Sequence, residues 1–207
     1  MLTKILSLGL AVSASMVAAA PALAQSAALR QAQQTNNPNE LYLLGQKELA
    51  RFNFDDAIAI FTKAIQRSSS PSFTELARLG LFTTYKVAGV SKVDTFPHEA
   101  IPMLKAAIKM EPRDAFLYSR LGDAYCHSKI KKYTTCLHFY NEGVRVTPDK
   151  AQGYFSRGIV RLNRLNEKSL AYDDFRRAIN AALTRGDQVS AKRYLEYAVW
   201  MGMPVPK

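Results

Sequence analysis

The chain has few of the residues from which metal and catalytic sites are usually built. Its 207 residues include only two cysteines and three histidines. It contains no glycine-rich phosphate loop, no Gly-x-Ser-x-Gly nucleophile motif and no His-Glu-x-x-His pair. His98 adjoins a glutamate at a predicted helix start, where capping or solvation is the default role. We therefore expect no enzyme activity, no cofactor and no metal.

The remaining histidines are the only ones that could join the cysteines in a zinc site. His127 follows Cys126 directly, and His138 lies two residues after Cys136. Nine residues separate the two cysteines, which is not a usual spacing for zinc ligands. Neighbouring side chains on a helix also diverge by about 100°. These two features argue against a zinc site.

Long apolar runs are also scarce, and the one candidate lies at the N-terminus. The stretch "MLTKILSLGLAVSASMVAAAPALAQ" has a basic start at Lys4, a run of apolar and small residues, and an Ala-x-Ala site before Gln25. This order is typical of a secretory signal, and serines dilute the run too much for a membrane anchor. We predict that residues 1–24 are a cleaved signal peptide and that the mature chain has no transmembrane segment. The expected destination is the periplasm, with the extracellular space or a thylakoid lumen as alternatives.

Acidic residues are outnumbered, with 17 Asp and Glu against 28 Lys and Arg, which gives a formal net charge of +11. The basic residues do not form one dominant block along the sequence. A solvated basic surface is the simplest interpretation. The alternative is attraction to acidic partners or peripheral contact with an anionic envelope surface. Export would keep the chain away from nucleic acid, so no nucleic-acid partner is expected.

A helical glycine motif recurs along the rest of the chain. It appears as "LYLLGQKEL", "LARLGLFTTY", "YSRLGDAY" and "YFSRGIVRL". Each copy precedes a second helical pattern with small residues at its ends and a large apolar residue between them: "DDAIAIFTKAI", "HEAIPMLKAAI", "TTCLHFYNEGV" and "SLAYDDFRRAI". The glycine-to-glycine steps are 35, 42 and 36 residues. They indicate a solenoid of helix pairs with a repeat of slightly over thirty residues and local insertions.

These motifs resemble the tetratricopeptide repeat (TPR) family, whose pattern has an aromatic residue, Leu-Gly and Tyr in the first helix, and Ala, Phe and Ala in the second. Tyr118, Leu121, Gly122 and Tyr125 match the first half completely. The resemblance implies an all-α fold, a right-handed α-solenoid of about four TPR helix pairs plus a C-terminal capping helix. The predicted divisions are a polar flexible leader at 25–37, repeats at 38–71, 72–114, 115–150 and 151–184 (together 38–184), and a capping helix and tail at 185–207.

The second repeat departs from the pattern. Eight extra residues separate Gly80 from Ala100, within "KVAGVSKVDTFPHE". The two helices are therefore either longer than usual or joined by an extended loop. A surface insertion costs little entropy and is the simpler interpretation, with a contact loop as the alternative.

The resemblance also bears on the two cysteines. Cys136 occupies the small position that, in this family, packs against the first-helix glycine, and Cys126 lies one turn after Gly122. Both sulfur atoms would then lie near the turn between two antiparallel helices. In an oxidising compartment they would form a disulfide, and otherwise they would remain as two buried thiols.

In TPR proteins the first helices line a concave groove that binds a peptide or protein partner. The resemblance therefore implies a non-catalytic interaction scaffold of the cell envelope. Tyr42 and Phe155 are the expected aromatic anchors. The positions carried over to this sequence are Tyr42, Gln46, Leu49, Ala77, Leu81, Thr84, Phe116, Ser119, Asp123, Cys126, Gln152, Phe155, Ile159 and Leu162.

Overall fold

A computed structural model describes residues 26–147 and 150–204, so the predicted signal peptide lies outside the described residues. The described residues form helices and no strands, which confirms the all-α prediction. The helices are α1 (Ala27–Gln34), α2 (Pro38–Ala50), α3 (Phe54–Arg67), α4 (Pro71–Lys92), α5 (Pro97–Met110), α6 (Ala115–Cys126), α7 (Tyr133–Val146), α8 (Ala151–Leu165), α9 (Lys168–Thr184) and α10 (Gln188–Trp200).

Eight of these helices form four consecutive pairs. The first helices α2, α4, α6 and α8 pack against the second helices α3, α5, α7 and α9 that follow them. Each second helix also packs against the next first helix, and α10 packs against α9. The described helices therefore form a solenoid of four pairs with a C-terminal capping helix, as predicted.

The motif glycines let an aromatic ring of the second helix approach the first helix closely. A Cβ atom at Gly122 would lie 2.7 Å from Cε1 of Tyr140, and one at Gly158 would lie 2.7 Å from Cε1 of Phe175. Real Cβ atoms do not come so close to other atoms. The ring thus occupies the space of the missing side chain, which explains why glycine recurs although it weakens a helix by about 1 kcal/mol relative to alanine.

In the second pair the glycine with this role is Gly89, and Gly80 is not. A Cβ atom at Gly89 would lie 2.7 Å from Cγ of Leu104 in the partner helix α5. Gly80 instead faces the preceding repeat, where a Cβ atom would lie 2.5 Å from Cε1 of Phe61. The eight extra residues lengthen α4 to 22 residues and do not form a loop. The repeat register predicted from Gly80 is therefore wrong by nine positions.

The predicted flexible leader at 25–37 differs from the structure, because most of it forms α1. Ala28 and Ala32 are buried in the first core cluster. The Lys63 ammonium donates hydrogen bonds to the carbonyl oxygens of Ala32, at 2.6 Å, and Thr35, at 2.9 Å. A cation at a helix C-terminus satisfies carbonyls that have no partner inside the helix. This short polar helix therefore depends on a side chain from α3.

A buried carboxylate explains Arg157 and Arg161 in α8, at the positions that Leu121 and Tyr125 take in the third repeat. Asp174 of α9 is 1% exposed. Its oxygens accept hydrogen bonds from Arg157, at 2.5 and 2.9 Å, and from Arg161, at 2.8 Å. The two positive charges and the buried negative charge hold α8 against α9.

Candidate functional site

The predicted groove residues all lie on first helices, but they differ in exposure. Phe116 is 43% exposed, and Gln46 and Gln152 are also exposed. Tyr42 and Phe155 contribute mainly to packing: the Tyr42 ring lies 5.7 Å from that of Phe61, and Phe155 stacks at 4.3 Å on Tyr194. The other half-buried members are Leu49, Leu81, Asp123, Cys126, Ile159 and Leu162.

Three predicted contact residues are buried and cannot touch a partner. Ala77 and Thr84 are fully buried because the register of α4 turns their side chains toward the first repeat. Counting from Gly89, the equivalent wall positions in α4 are Lys86 and Val90, both half-buried. Ser119 is 6% exposed, and its hydroxyl donates a hydrogen bond to the carbonyl of Ala115.

A partly open cavity lies between the third and fourth repeats and brings together three predicted residues, Phe116, Ser119 and Gln152. We call it the glycine cavity, because two of its walls lack side chains. Its volume is about 200 Å³, and its lining is mostly apolar. It is lined by Ala115, Phe116, Ser119, Gly143, Lys150, Gln152 and Gly153.

Two glycines that the sequence analysis did not assign to the site form the back of the glycine cavity. Gly143 takes the small position of α7, and a Cβ atom there would lie 3.3 Å from the carbonyl oxygen of Ala115. Gly153 lies in the first turn of α8, and its Cβ atom would lie 3.3 Å from Cγ2 of Val144. The recurrence of a small residue in the second helices was a signal for Gly143, but Gly153 had none.

Charged side chains flank the aromatic wall of the glycine cavity. Lys150 lines the cavity, is exposed, and makes no capping hydrogen bond to α8. The Lys86 ammonium lies 5.5 Å from the centre of the Phe116 ring and pairs with Asp114 at 2.7 Å. Phe116 therefore has the paired Lys86 cation over its ring and shares the cavity lining with Lys150.

An apolar strip leads from Phe116 along α4. Lys86 also lies over the ring of Phe82. Phe82 lines a small cavity of about 140 Å³ together with Leu79 and Met110, and with the charged residues Glu75, Arg78 and Glu111 at its border. Leu79 is 58% exposed. The strip exists because α4 is extended at its N-terminal end, which is why the sequence analysis missed it.

The second cavity, of about 390 Å³, lies at the other end of α6 and α8 and is more polar. The predicted residues Asp123, Cys126 and Ile159 line it, as do Asp94 and Arg164. This cavity therefore contains acidic side chains, whereas none of the described residues that line the glycine cavity is acidic.

Asp123 connects the two helices of the third repeat. Its oxygens accept hydrogen bonds from the hydroxyl of Tyr140, at 2.5 Å, and from Arg120, at 2.9 Å. Burial raises the pKa of Asp123, while the hydrogen bond from Tyr140 and the charge of Arg120 oppose the rise. Burial and the neighbouring Asp123 charge also raise the pKa of Tyr140. The hydrogen bond between Tyr140 and Asp123 therefore holds α6 against α7.

Cys126 and Cys136 form a disulfide between the end of α6 and the first turn of α7. Cys136 is fully buried, and Cys126 is half-buried at the second cavity. The sequence left open whether these cysteines form a disulfide or remain as two buried thiols, and the structure contains the disulfide. It closes the turn beside Asp123.

Within residues 26–147 and 150–204, no three His, Cys, Asp or Glu side chains come together as a metal site would require. Over the same residues, no helix is both long and apolar enough to cross a membrane.

Comparison with known proteins gives one sequence relative and several similar folds. No protein-family model matches the chain. Protein FlbA of Caulobacter vibrioides is 34% identical over 83 residues, which is 40% of this chain and 13% of FlbA. The chain thus matches only a small part of that relative's length.

Several solved structures have a similar fold at low sequence identity. The MamA RS-1 ArsTM double mutant has a TM-score of 0.50 and 18% identity, over 76% of this chain and 83% of that protein. YrrB, described as a TPR protein, has a TM-score of 0.41 and 16% identity, over 86% and 93%. At 18% identity, the likeness to the MamA double mutant is one of fold. With its four repeated motifs and their helix pairs, the chain has an α-solenoid fold, and its motifs resemble tetratricopeptide repeats.

Proposed function

We propose that this chain is a non-catalytic scaffold of the cell envelope that binds a segment of a partner protein along its first helices. The glycine cavity is the observation that carries the proposal. It is concave, mostly apolar and bordered by an exposed aromatic ring, and such pockets are where interface anchors dock. The fold supports an interaction role, since stacked helix pairs present extended binding surfaces.

The contact surface of this scaffold comprises the apolar strip and the glycine cavity. Leu79, Phe82 and Phe116 follow one another along it, joined by Lys86. Tyr42 and Phe155 are not the anchors, because both rings pack within the fold. Exposed apolar residues that adjoin one another are typical of interaction sites, whereas isolated ones are ordinary.

Photo-crosslinking in cells of the source organism tests this proposal. A photoreactive amino acid is placed at position 79 or 116 of the surface, and at position 138 of α7 as a control, because His138 is exposed. We expect the same partner to be captured from positions 79 and 116 and not from 138. Equal capture at all three positions, or none at any, contradicts binding along the first helices.

The envelope location is part of the proposal and has its own test. The sequence of the first 24 residues supports it, because they follow the order of a secretory signal. We expect fractionated cells to release the protein with the envelope fraction and N-terminal sequencing to begin at Gln25. A cytoplasmic protein that retains Met1 or Leu2 at its N-terminus contradicts this part.

A further inference from the structure

We propose that the glycine cavity receives an apolar side chain from an acidic segment of the partner, whose carboxylates pair with Lys150. This inference rests on the proposed function and specifies the chemistry of the ligand. It concerns the cavity between the third and fourth repeats and not the more polar cavity at the other end of α6.

The walls of the cavity select an apolar side chain. Phe116 contributes a ring that is 43% exposed, and Gly143 and Gly153 contribute backbone without side chains. The two polar side chains in the lining already have partners. The Ser119 hydroxyl donates to the carbonyl of Ala115, and Gln152 accepts a hydrogen bond from Tyr194 at 3.1 Å. An aliphatic side chain therefore leaves no polar group of the cavity newly unpaired.

Local charge selects an acidic partner over a basic one. Among the described residues that line the cavity, Lys150 is the only charged one. The Lys86 ammonium lies over the Phe116 ring and is already paired with Asp114. The more polar cavity, by contrast, includes the carboxyl groups of Asp94 and Asp123. A glutamate next to the inserted side chain would thus meet the Lys150 cation, and none of the described residues that line the cavity carries a carboxylate.

The distribution of charge along the chain also favours an acidic partner. Residues 105–207 contain 19 Lys and Arg against 10 Asp and Glu, whereas residues 26–104 contain 8 against 7. The repeats that form the cavity are therefore the basic part of the protein. A basic surface attracts acidic segments and speeds their encounter, and added salt screens both effects.

Three short peptides, blocked at both ends, test the inference on the mature protein. One has a central leucine between glutamates, the second has the same leucine between lysines, and the third has a central glycine between glutamates. Amide chemical shifts of Gly143 and Gly153 report on the cavity during each titration. We expect the glutamate–leucine peptide to shift both amides saturably, to bind more weakly in high salt, and to bind more tightly than the other two.

Charge reversal at the cavity provides the matched comparison. Lys150→Glu should weaken the glutamate–leucine peptide about tenfold, whereas Lys132→Glu, the same change on an exposed residue of the α6–α7 turn, should leave its affinity unchanged. Phe116→Ala should abolish the shifts, with circular dichroism to verify the fold. Because Lys150 is exposed, its variant keeps the test informative even if the Phe116 variant unfolds.

The outcomes separate the two proposals. If the lysine–leucine peptide binds as tightly as its glutamate counterpart, the acidic preference is wrong and the docking surface stands. If no peptide moves the two glycine amides, while crosslinking still maps a partner to positions 79 and 116, the cavity is not the pocket used. If the two glycine amides shift with protein concentration in the absence of peptide, the occupant of the cavity is a second copy of this chain. If Lys150→Glu weakens binding to phosphatidylglycerol vesicles as much as it weakens binding of the peptide, Lys150 contacts a lipid surface. Either of these last two results overturns the inference.

Discussion

At the scale of single residues, Asp123 shows how burial and hydrogen bonding oppose each other. The carboxyl group accepts hydrogen bonds from Tyr140 and Arg120, which favour its charged form. Burial favours the neutral form, and the nearby Asp94 charge acts in the same direction. Burial is the largest effect, so the pKa of Asp123 is raised above its ordinary value of 3.8.

This raised pKa predicts a pH-dependent difference between the wild type and Asp123→Asn. The folded protein binds the Asp123 proton more tightly than the unfolded chain does, so the resulting stabilisation is present at low pH and is lost as pH rises through the folded-state pKa. Asparagine keeps an oxygen for Tyr140 but does not titrate here. Urea unfolding should therefore show that the wild type loses stability relative to the variant as pH rises above 3.8. A relative gain over that range contradicts the prediction.

The residues of the candidate site were predictable only in part. In the third and fourth repeats, positions counted from Gly122 and Gly158 led to Phe116 and Gln152, because these glycines set the true register. Lys150 and Gly153 could not be found in this way. Their role depends on how α6, α7 and α8 meet, and no local pattern encodes that arrangement.

At the scale of elements, α4 shows why a repeat can match its motif and still be misread. Gly80 carries the local motif, but its missing side chain accommodates Phe61 of the preceding repeat. The sequence could show that eight residues were added but not on which side of the motif they lay. The failure to predict α1 has a similar cause. The carbonyl oxygens at the C-terminus of α1 accept hydrogen bonds from Lys63, which is distant in sequence.

The corrected register of α4 makes a prediction about two neighbouring positions. Ala77 is fully buried and Leu79 is 58% exposed. Ala77→Asp should therefore lower the free energy of unfolding by about 3 kcal/mol or more, because it buries an unpaired charge. Leu79→Asp should cost less than about 1 kcal/mol, as is usual at exposed positions. Both variants place aspartate inside the same helix, so similar losses in thermal or urea unfolding would contradict the register.

The disulfide makes a second prediction at this scale. Cys126 and Cys136 are 10 residues apart, so their bridge restricts a short loop of the unfolded chain. The loop-entropy estimate for such a length is about 2–3 kcal/mol. Urea unfolding with and without dithiothreitol should show a loss of this size. A variant with both cysteines replaced by serine should be insensitive to the reductant, and an equal response in that variant would show that the effect is not due to the bridge.

At the scale of the whole molecule, the cores are local to neighbouring repeats. One buried cluster joins α1, α2, α3 and Ala77 of α4, and others join the fourth repeat to α10. The fourth repeat is held by the aromatic contacts of Phe155 with Tyr194 and Tyr197 and by the Asp174 ion cluster. In such a solenoid, stability is approximately a sum of repeat and interface contributions.

Removing the buried charge from α9 should therefore loosen one end of the molecule and not the other. Asp174→Ala leaves Arg157 and Arg161 without their buried partner, at a cost of about 3–5 kcal/mol. Hydrogen exchange measured by mass spectrometry should accelerate in α8, α9 and α10, while α2 and α3 keep their wild-type rates. The control is Asp173→Ala, which removes an exposed carboxylate that pairs with Arg176 and should change little. A uniform acceleration from α2 to α10 would mean that the repeats unfold as a single cooperative unit, because the loss at one end would then be felt equally at the other.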